Sequence, residues 1–179
     1  MITILADEGN NTAGLKLYQA FASKGVEADY VPLKDVAVKP CVGCNGCTYK
    51  TYGKCVVRDD GDWIYGKILR SDAVLVVSPI LFGGYTVKTK RVLDKFGLIM
   101  DRHYFVVKGE MTKGGFKDRQ FKLFALGVQE ENDPQEAEAF CSLVHETNVI
   151  VRGGGKAYTT GPSLSDELAM QIVREVALV

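Results

Sequence analysis

Four of the five cysteines in this chain lie within fifteen residues. Cys41, Cys44 and Cys47 are separated by two residues each, and Cys55 follows after seven more. This spacing allows a tight loop to present three thiolates to one iron-sulfur cluster while a short excursion returns the fourth. The glycines between the first three cysteines allow the backbone to turn sharply around an inorganic core. The pattern therefore predicts a cysteine-ligated redox centre.

Two simpler interpretations of the same thiols stay open. A structural zinc site usually takes two separated pairs of cysteines, a layout that this loop does not have. Free thiols are also compatible with the pattern, because reducing compartments keep cysteines unpaired. The fifth cysteine, Cys141, lies between Phe140 and Leu143 in a helical apolar pattern, which predicts a small buried side chain.

Charge and hydropathy exclude several classes of partner. The 179 residues include 22 Lys and Arg and 22 Asp and Glu, so no net field attracts nucleic acid or an anionic membrane. No apolar run approaches the roughly 20 residues that cross a bilayer, and no signal-like segment precedes the first apolar run. We expect a soluble, cytoplasmic protein that binds neither nucleic acid nor membrane.

The elements that must position the cysteine loop alternate between strand-like and helix-like patterns. Apolar runs predict five strands, at Ile2–Ala6, Ala28–Leu33, Ala73–Val77, Phe121–Val128 and Asn148–Arg152. Helical patterns separate them, and a last helix is expected over Ser163–Val176. This alternation predicts an α/β fold, with a flavodoxin-like, doubly wound, five-stranded parallel sheet of order 2-1-3-4-5 and helices on both faces.

One domain over residues 1–179 accounts for this pattern, because no linker or repeat divides the chain. It carries a cysteine-rich loop at 40–58 and an excursion at 101–119 that we expect to be irregular. Asp59 and Asp60 follow the loop at a position where aspartates most often cap a helix.

The predicted sheet also indicates where a ligand would lie. In this strand order the crevice is found beyond the carboxyl ends of the first and third strands. The segments Asn10–Thr12 and Pro79–Gly84 follow those strands, so they are expected to flank one pocket.

Three blocks of the sequence resemble the iron-sulfur flavoproteins of the NADPH-dependent FMN reductase superfamily. They are Lys39–Asp60, Ser78–Gly83 and Lys90–Asp94, in that order and spacing. The resemblance implies that FMN lies at the carboxyl edge of the sheet and that a [4Fe-4S] cluster lies on the cysteine loop. It assigns Cys41, Cys44, Cys47 and Cys55 as the cluster ligands.

The resemblance also implies the cofactor contacts and the partners. It implies that FMN contacts Pro79, Ile80, Leu81, Phe82, Gly83, Gly84, Gly127, Val128 and Gln129. Asn10, Asn11 and Thr12 are expected to contact FMN as well, because the strand order places them at the same pocket. An NAD(P)H or a ferredoxin-like electron donor is implied, as is a homo-oligomer, either a dimer or a tetramer.

The leading hypothesis is therefore an FMN-dependent oxidoreductase, either an NAD(P)H-linked reductase or an electron carrier that relays through a cluster. The alternative is a non-enzymatic binding or assembly protein that keeps the fold, with zinc or free thiols in the cysteine loop. The acidic residues Asp7 and Glu8, which would repel a phosphate, motivate this alternative. A third hypothesis keeps FMN without a cluster.

Overall fold

The computed structural model describes residues 1–8, 12–107, 109–113 and 122–178. Its strands are β1 (Ile2–Ala6), β2 (Ala28–Pro32), β3 (Ala73–Pro79), β4 (Tyr104–Val107), β5 (Glu110–Lys113), β6 (Leu123–Val128) and β7 (Ala157–Thr160). Its α-helices are α1 (Ala13–Ser23), α2 (Gly46–Tyr49), α3 (Gly61–Arg70), α4 (Val87–Leu93), α5 (Pro134–Ile150) and α6 (Asp166–Ala177). Short 3₁₀ helices span Leu33–Asp35 and Phe96–Leu98.

The main sheet has five parallel strands in the order β2-β1-β3-β6-β7. The predicted α/β fold with a five-stranded parallel sheet and helices is confirmed. The strand order differs in numbering from the predicted 2-1-3-4-5, because β4 and β5 intervene in the chain and pair only with each other. The carboxyl ends of all five strands lie along one edge, as parallel pairing requires.

Helices cover both faces of the sheet, and β3 is the central strand that both cores share. Val74 and Val76 pack into a core with α3, α4 and α5. Leu75 and Val77 point to the opposite face, where α1 and α6 pack. Each of these four side chains is fully buried, which explains why β3 is apolar at every position from Ala73 to Val77.

The predicted fifth strand at Asn148–Arg152 is wrong. Helix α5 continues through Ile150, and the fifth strand of the sheet is β7. The β-branched residues Val149 to Val151 imitate a strand, but no turn signal separates them from the helix before them. The chain leaves the helix only at Arg152, which has a φ of 51°, and at the three glycines that follow.

The excursion at 101–119 is less irregular than expected. Its described part contains an antiparallel hairpin, in which Tyr104 pairs with Lys113 and Val107 with Glu110. All four residues of β4 are exposed, so the strand lacks the alternation of buried and exposed side chains by which strands are recognised. The rest of the excursion falls outside the described residues.

None of the described helices combines the length and the apolar composition that a bilayer-spanning helix requires. The longest described helix, α5, has 17 residues and carries four titratable side chains, Glu136, Glu138, His145 and Glu146. Its buried side chains, Phe140, Val144 and Asn148, pack instead against the sheet.

Candidate functional site

The four clustered cysteines line a single cavity of about 210 Å³, which we call the cysteine cavity. Cys41 and Cys44 are exposed, whereas Cys47 and Cys55 are partly buried. The opposite wall comes from later in the chain, and includes Asp94, Lys95, Gly97, Leu98, Tyr104 and Lys113. Across the residues that the structure describes, no three Cys, His, Asp or Glu side chains converge closely enough to hold one metal ion.

Left-handed backbone conformations give the cysteine loop its tight turns. Gly43 has a φ of 64° and Asn45 a φ of 53°, and α2 begins immediately afterwards at Gly46. A side chain at Gly46 would lie 2.7 Å from Val56 Cγ1. The glycine therefore allows α2, which carries Cys47, to pack against the returning segment of the loop.

Two aspartates close the ends of the cysteine loop. Asp59 Oδ2 accepts a hydrogen bond from the backbone N–H of Lys39 at 2.9 Å, and Asp60 Oδ2 accepts one from Ala37 at 2.6 Å. Asp59 also accepts the backbone N–H of Gly61 at the start of α3. The capping interpretation of this pair thus covers only part of its role, because the same carboxylates tie together the segments before and after the cysteines.

Lys95 completes this closure from a distant part of the chain. Its Nζ lies 2.5 Å from Asp59 Oδ2, and the two side chains are only 1% and 3% exposed. Sequence reasoning missed Lys95, because a lysine next to Asp94 gives no local signal that it is buried. Because the residue also lines the cysteine cavity, this ion pair connects the wall of the cavity to the base of the loop.

The surroundings of Asp59 favour its ionised form. Burial alone would raise the pKa of this carboxyl, but the hydrogen bonds from Lys95, Lys39 and Gly61 outweigh burial and hold the pKa below its usual value. Tyr65 lies close by, and burial followed by the nearby Asp59 charge raises the pKa of its phenol. Its hydroxyl donates to Val92 O at 2.9 Å, so Tyr65 serves as a neutral packing group.

A second cavity, which we call the edge cleft, opens at the carboxyl ends of β3 and β6. It has a volume of about 370 Å³ and is lined on one side by residues 79–82 and on the other by Val128 and Gln129. The strand register places Pro79 opposite Val128, so these two loops leave the sheet side by side. Four acidic residues form the remaining wall: Glu130, Glu131, Asp133 and Glu136.

A tight turn shapes the β3 side of the edge cleft. Leu81 and Gly84 exchange backbone hydrogen bonds of 2.9–3.0 Å around Phe82 and Gly83, whose φ angles are 51° and 73°. Two positive φ angles at the centre are the signature of a type I′ turn. Gly83 and Gly84 therefore support the turn and do not line the cleft, whereas Phe82 at its tip is 97% exposed.

Gly127 and Gln129 shape the β6 side of the edge cleft in different ways. A side chain at Gly127 would lie 2.6 Å from Ile80 Cδ1 and 2.8 Å from Phe140 Cε1, so this glycine lets Ile80 pack down onto the sheet. The Gln129 side chain is buried, and its Nε2 donates to Asp133 O at 2.8 Å. Gln129 thus holds the acidic loop in place at the start of α5.

The loop after β1 was expected to contact FMN through Asn10, Asn11 and Thr12. Asn10 and Asn11 lie outside the described residues, and Thr12 is exposed, with no side-chain hydrogen bond capping α1. Glu8 instead brings its own carboxylate to the start of this helix. Its Oε1 accepts the N–H of Leu15 at 2.8 Å and its Oε2 accepts the Tyr30 hydroxyl at 2.5 Å.

Asp7 connects the end of β1 to the loop that follows β3. It is buried, and its Oδ2 accepts the Thr86 hydroxyl at 2.5 Å. The same Thr86 oxygen accepts the N–H of Thr89 as the N-cap of α4. This link fixes the position of α4 relative to the end of the first strand.

Ten of the predicted site residues line two separate cavities, and Thr12, Gly83, Gly84 and Gly127 line neither of them. The cysteine cavity and the edge cleft have no lining residue in common. A third, largely apolar cavity of about 380 Å³ shares Asp94, Gly97, Tyr104 and Lys113 with the cysteine cavity. It extends to Tyr85, which directly follows the turn of the edge cleft.

Cys141 does not belong to either group. It is exposed on α5, so the expectation of a buried cysteine is wrong. The helical pattern around Phe140 identified the buried face correctly, since Phe140 is fully buried, but the next residue points to solvent because successive helical residues lie about 100° apart.

Comparison with known proteins relates this architecture to one family. The family model described as NADPH-dependent FMN reductase matches residues 5–114, which include the whole cysteine loop and the loop after β3. An iron-sulfur flavoprotein of Methanocaldococcus jannaschii is 37% identical over 89 residues, covering 49% of this chain and 45% of that protein. An iron-sulfur flavoprotein of Methanosarcina thermophila is 27% identical over 157 residues, covering 86% of this chain and 76% of that protein.

Solved structures support the same fold. The NAD(P)H:quinone oxidoreductase from Methanothermobacter marburgensis superimposes with a TM-score of 0.60 at 13% sequence identity, covering 97% of this chain and 94% of that one. At this identity the similarity supports the fold alone. The matched segments and the shared fold together relate the part of the chain that carries the cysteine cavity to this family.

Proposed function

Given that this chain belongs to the NADPH-dependent FMN reductase family, we propose that it is a flavin-dependent oxidoreductase of the iron-sulfur flavoprotein type. FMN would lie in the edge cleft and a [4Fe-4S] cluster in the cysteine cavity. When bound, the flavin exchanges two electrons with a donor and the cluster carries them one at a time. NAD(P)H or a ferredoxin-like protein would supply the electrons.

The observation that carries this proposal is the convergence of all four clustered cysteines on one cavity. Cys41 and Cys44 are exposed, whereas Cys47 and Cys55 are partly buried and pack against the core. Four thiolates around one cavity are the donor set that iron-sulfur clusters require.

The spacing of the thiols favours a cluster over a single zinc ion. A structural zinc ion usually takes two separated pairs of cysteines, whereas Cys41, Cys44 and Cys47 follow one another at two-residue gaps. In a cubane each thiolate binds a different iron atom, so the sulfurs lie around a larger object. A cavity of about 210 Å³ with the cysteines along its wall is compatible with that arrangement.

The edge cleft has the chemistry that a flavin ring requires on its β3 side. Pro79, Ile80 and Leu81 offer apolar contacts along one wall, and the backbone of Val128 and Gln129 borders the other. The absence of a side chain at Gly127 lets Ile80, which lines the cleft, lie close to the sheet. These residues would hold and orient the ring, whereas the acidic wall would repel its phosphate.

A combined cofactor analysis tests this proposal. Protein purified without oxygen is expected to contain about four iron and four sulfide per chain and one flavin, with flavin absorbance near roughly 370 and 450 nm. Cys44→Ser is expected to remove most of the iron and to leave the flavin bound, because Cys44 lines only the cysteine cavity.

Cys141→Ser is the matched control, since it removes an exposed thiol from α5, outside both cavities. Iron and flavin contents equal to those of the wild type are expected. Zinc in place of iron, together with no saturable flavin binding, would contradict the proposal and favour the non-enzymatic alternative. Flavin without any metal would favour a flavoprotein whose cysteines stay free.

Association of several copies is also part of the proposal. Strand β4 exposes four consecutive apolar residues, Tyr104–Val107, and the facing Met111 is 71% exposed. Phe82, at the tip of the edge-cleft turn, is almost fully exposed as well. Exposed apolar groups of this kind mark interaction surfaces, so sedimentation velocity is expected to show a dimer or tetramer that Val106→Lys weakens.

A further inference from the structure

A small basic cleft lies near the carboxyl end of β2, on the same edge of the sheet as the edge cleft. It has a volume of about 110 Å³ and is formed where the 3₁₀ helix Leu33–Asp35 faces α4. Its rim carries three cations, Lys34, Lys88 and Arg91. Its floor is apolar, with Leu33, Val38 and Val92 buried beneath the cations.

The cations of this cleft are poorly neutralised by the protein. No acidic residue lines the cleft. Within the described ranges, Lys34 and Arg91 form no ion pair, and Lys88 has only a long contact of 3.9 Å to Asp7 Oδ1. Lys88 also lies in the first turn of α4, where the helix dipole disfavours a positive charge. An anion between these side chains would relieve their mutual repulsion.

The cleft lies at the edge of the sheet along which this fold binds ligands. Leu33 directly follows β2, and the contact between Lys88 and Asp7 brings α4 to the end of β1. Doubly wound sheets bind ligands beyond the carboxyl ends of their strands. The neighbouring start of α1 already holds the carboxylate of Glu8, so a phosphate at this edge would find its positive charges in the basic cleft.

The size of the cleft limits the ligand group that it can hold. A water molecule has a share of about 30 Å³ in the liquid, so this cleft has room for one tetrahedral oxyanion and not for a three-ring system. A guanidinium binds two oxygens of one phosphate side by side, and the flanking lysines add point charges. The acidic wall of the edge cleft would direct such a group to the opposite end of the sheet edge.

We propose that Lys34, Lys88 and Arg91 form a binding subsite for a phosphate group of a nucleotide cofactor. This inference rests on the proposed function for the identity of the nucleotide, because both FMN and NADPH carry phosphates. The shared chemistry is a phosphate anion, and the experiment below distinguishes the two sources.

The test compares pairs of ligands that differ by one phosphate. Dissociation constants of FMN and riboflavin, and of NADP⁺ and NAD⁺, are measured for the wild type and for Arg91→Gln at two salt concentrations. If the subsite binds the flavin phosphate, Arg91→Gln lowers the affinity for FMN about tenfold and leaves the affinity for riboflavin unchanged, as expected for the loss of a charge-assisted hydrogen bond. If the subsite binds the 2′-phosphate of the nicotinamide nucleotide, the affinity for NADP⁺ falls by a similar factor and the affinity for NAD⁺ does not change.

Arg70→Gln is the matched control, because Arg70 is also exposed at the end of a short helix but precedes β3 at the opposite edge of the sheet. Lys34→Gln is expected to act in the same direction as Arg91→Gln. If the dissociation constants of all four ligands for Arg91→Gln lie within twofold of those for Arg70→Gln, the proposed subsite is wrong.

A titration with inorganic phosphate separates this result from a failure of the proposed function. If the wild type binds no flavin and no nicotinamide nucleotide, the proposed function fails. Phosphate binding that Arg91→Gln weakens, and Arg70→Gln does not, would then still support the basic cleft. Absence of phosphate binding in the same sample would overturn it.

Discussion

The cysteine cavity and the edge cleft are assembled over different distances along the chain. All four thiols of the cavity come from the segment 41–55, and their convergence depends mainly on local turns. The edge cleft forms between loops that follow β3 and β6, and these loops meet because Pro79 and Val128 are paired in the sheet. One site is thus organised by residue spacing, and the other by strand register.

The two sites also differ in the forces that hold them. A buried ion pair between Asp59 and Lys95 closes the cysteine loop. The edge cleft depends on apolar packing, in which Ile80 contacts the bare backbone of Gly127. We therefore expect each site to fail under a different perturbation, and the predictions below separate the two.

Loss of the buried lysine is expected to have the largest effect on stability. Lys95→Met would leave the Asp59 carboxylate buried without its cation, and breaking one partner of a buried pair costs about 3–5 kcal/mol. Urea denaturation of the anaerobically purified protein measures the free energy of unfolding. Iron content is expected to fall more than flavin content, because the pair closes the cysteine loop.

Lys90→Met is the control for this prediction. Lys90 forms an ion pair with Asp94, but their side chains are 55% and 41% exposed, and exposed pairs contribute about 0–1 kcal/mol. Equal losses in the two variants would show that burial of the Asp59–Lys95 pair is not what stabilises the cysteine loop.

A methyl group at Gly127 is expected to disturb the edge cleft with an intermediate effect. In Gly127→Ala the new carbon would displace Ile80 and Phe140, and overpacking of this kind costs about 1–3 kcal/mol. Flavin affinity is expected to fall while iron content stays at the wild-type level. Calorimetry with FMN and an iron assay on the same preparation measure both quantities.

Gly161→Ala controls for the change of residue type, because no atom lies within 4 Å of its added carbon. Its effect on stability is expected to stay within about 0.5 kcal/mol. A loss of iron in Gly127→Ala equal to the loss of flavin would mean that the two sites are not separable.

Acidification is expected to give the smallest effect, and to act on the cysteine loop. The pKa of Asp59 is lowered in the folded protein, so its contribution to stability is present above its unfolded pKa of about 3.9 and is lost as the pH falls through the folded pKa. Between about pH 5 and pH 3, the free energy of unfolding of the wild type should therefore fall more steeply than that of Asp59→Asn. Parallel curves for the two proteins would contradict this assignment.

Local patterns predicted much of the fold and part of the site. The central strand β3 was recognisable because Ala73–Val77 are apolar and buried, and α6 because its apolar residues recur with a helical period, although the helix begins at Asp166 and not at Ser163. The cysteine spacing indicated one shared site, and the structure brings those four residues to one cavity. The end of α5 was misread because β-branched residues in a last helical turn resemble a strand.

Residues that act across the chain could not be found in this way. Lys95 reads as an ordinary charged residue until packing buries it beside Asp59, and Glu8 reads as part of a loop until its carboxylate reaches Leu15. The three cations of the basic cleft come from two segments, and only their arrangement around one concavity distinguishes them from a solvated surface.

By itself, the sequence determined the class of fold and the kind of donor atoms, because apolar periodicity and thiol spacing are properties of neighbouring residues. Only the tertiary structure decided which charges are buried, which loops form a common cleft and where an anion would find positive charge. Those properties depend on distances between segments that are remote in the chain, and such distances are set by strand register and core packing.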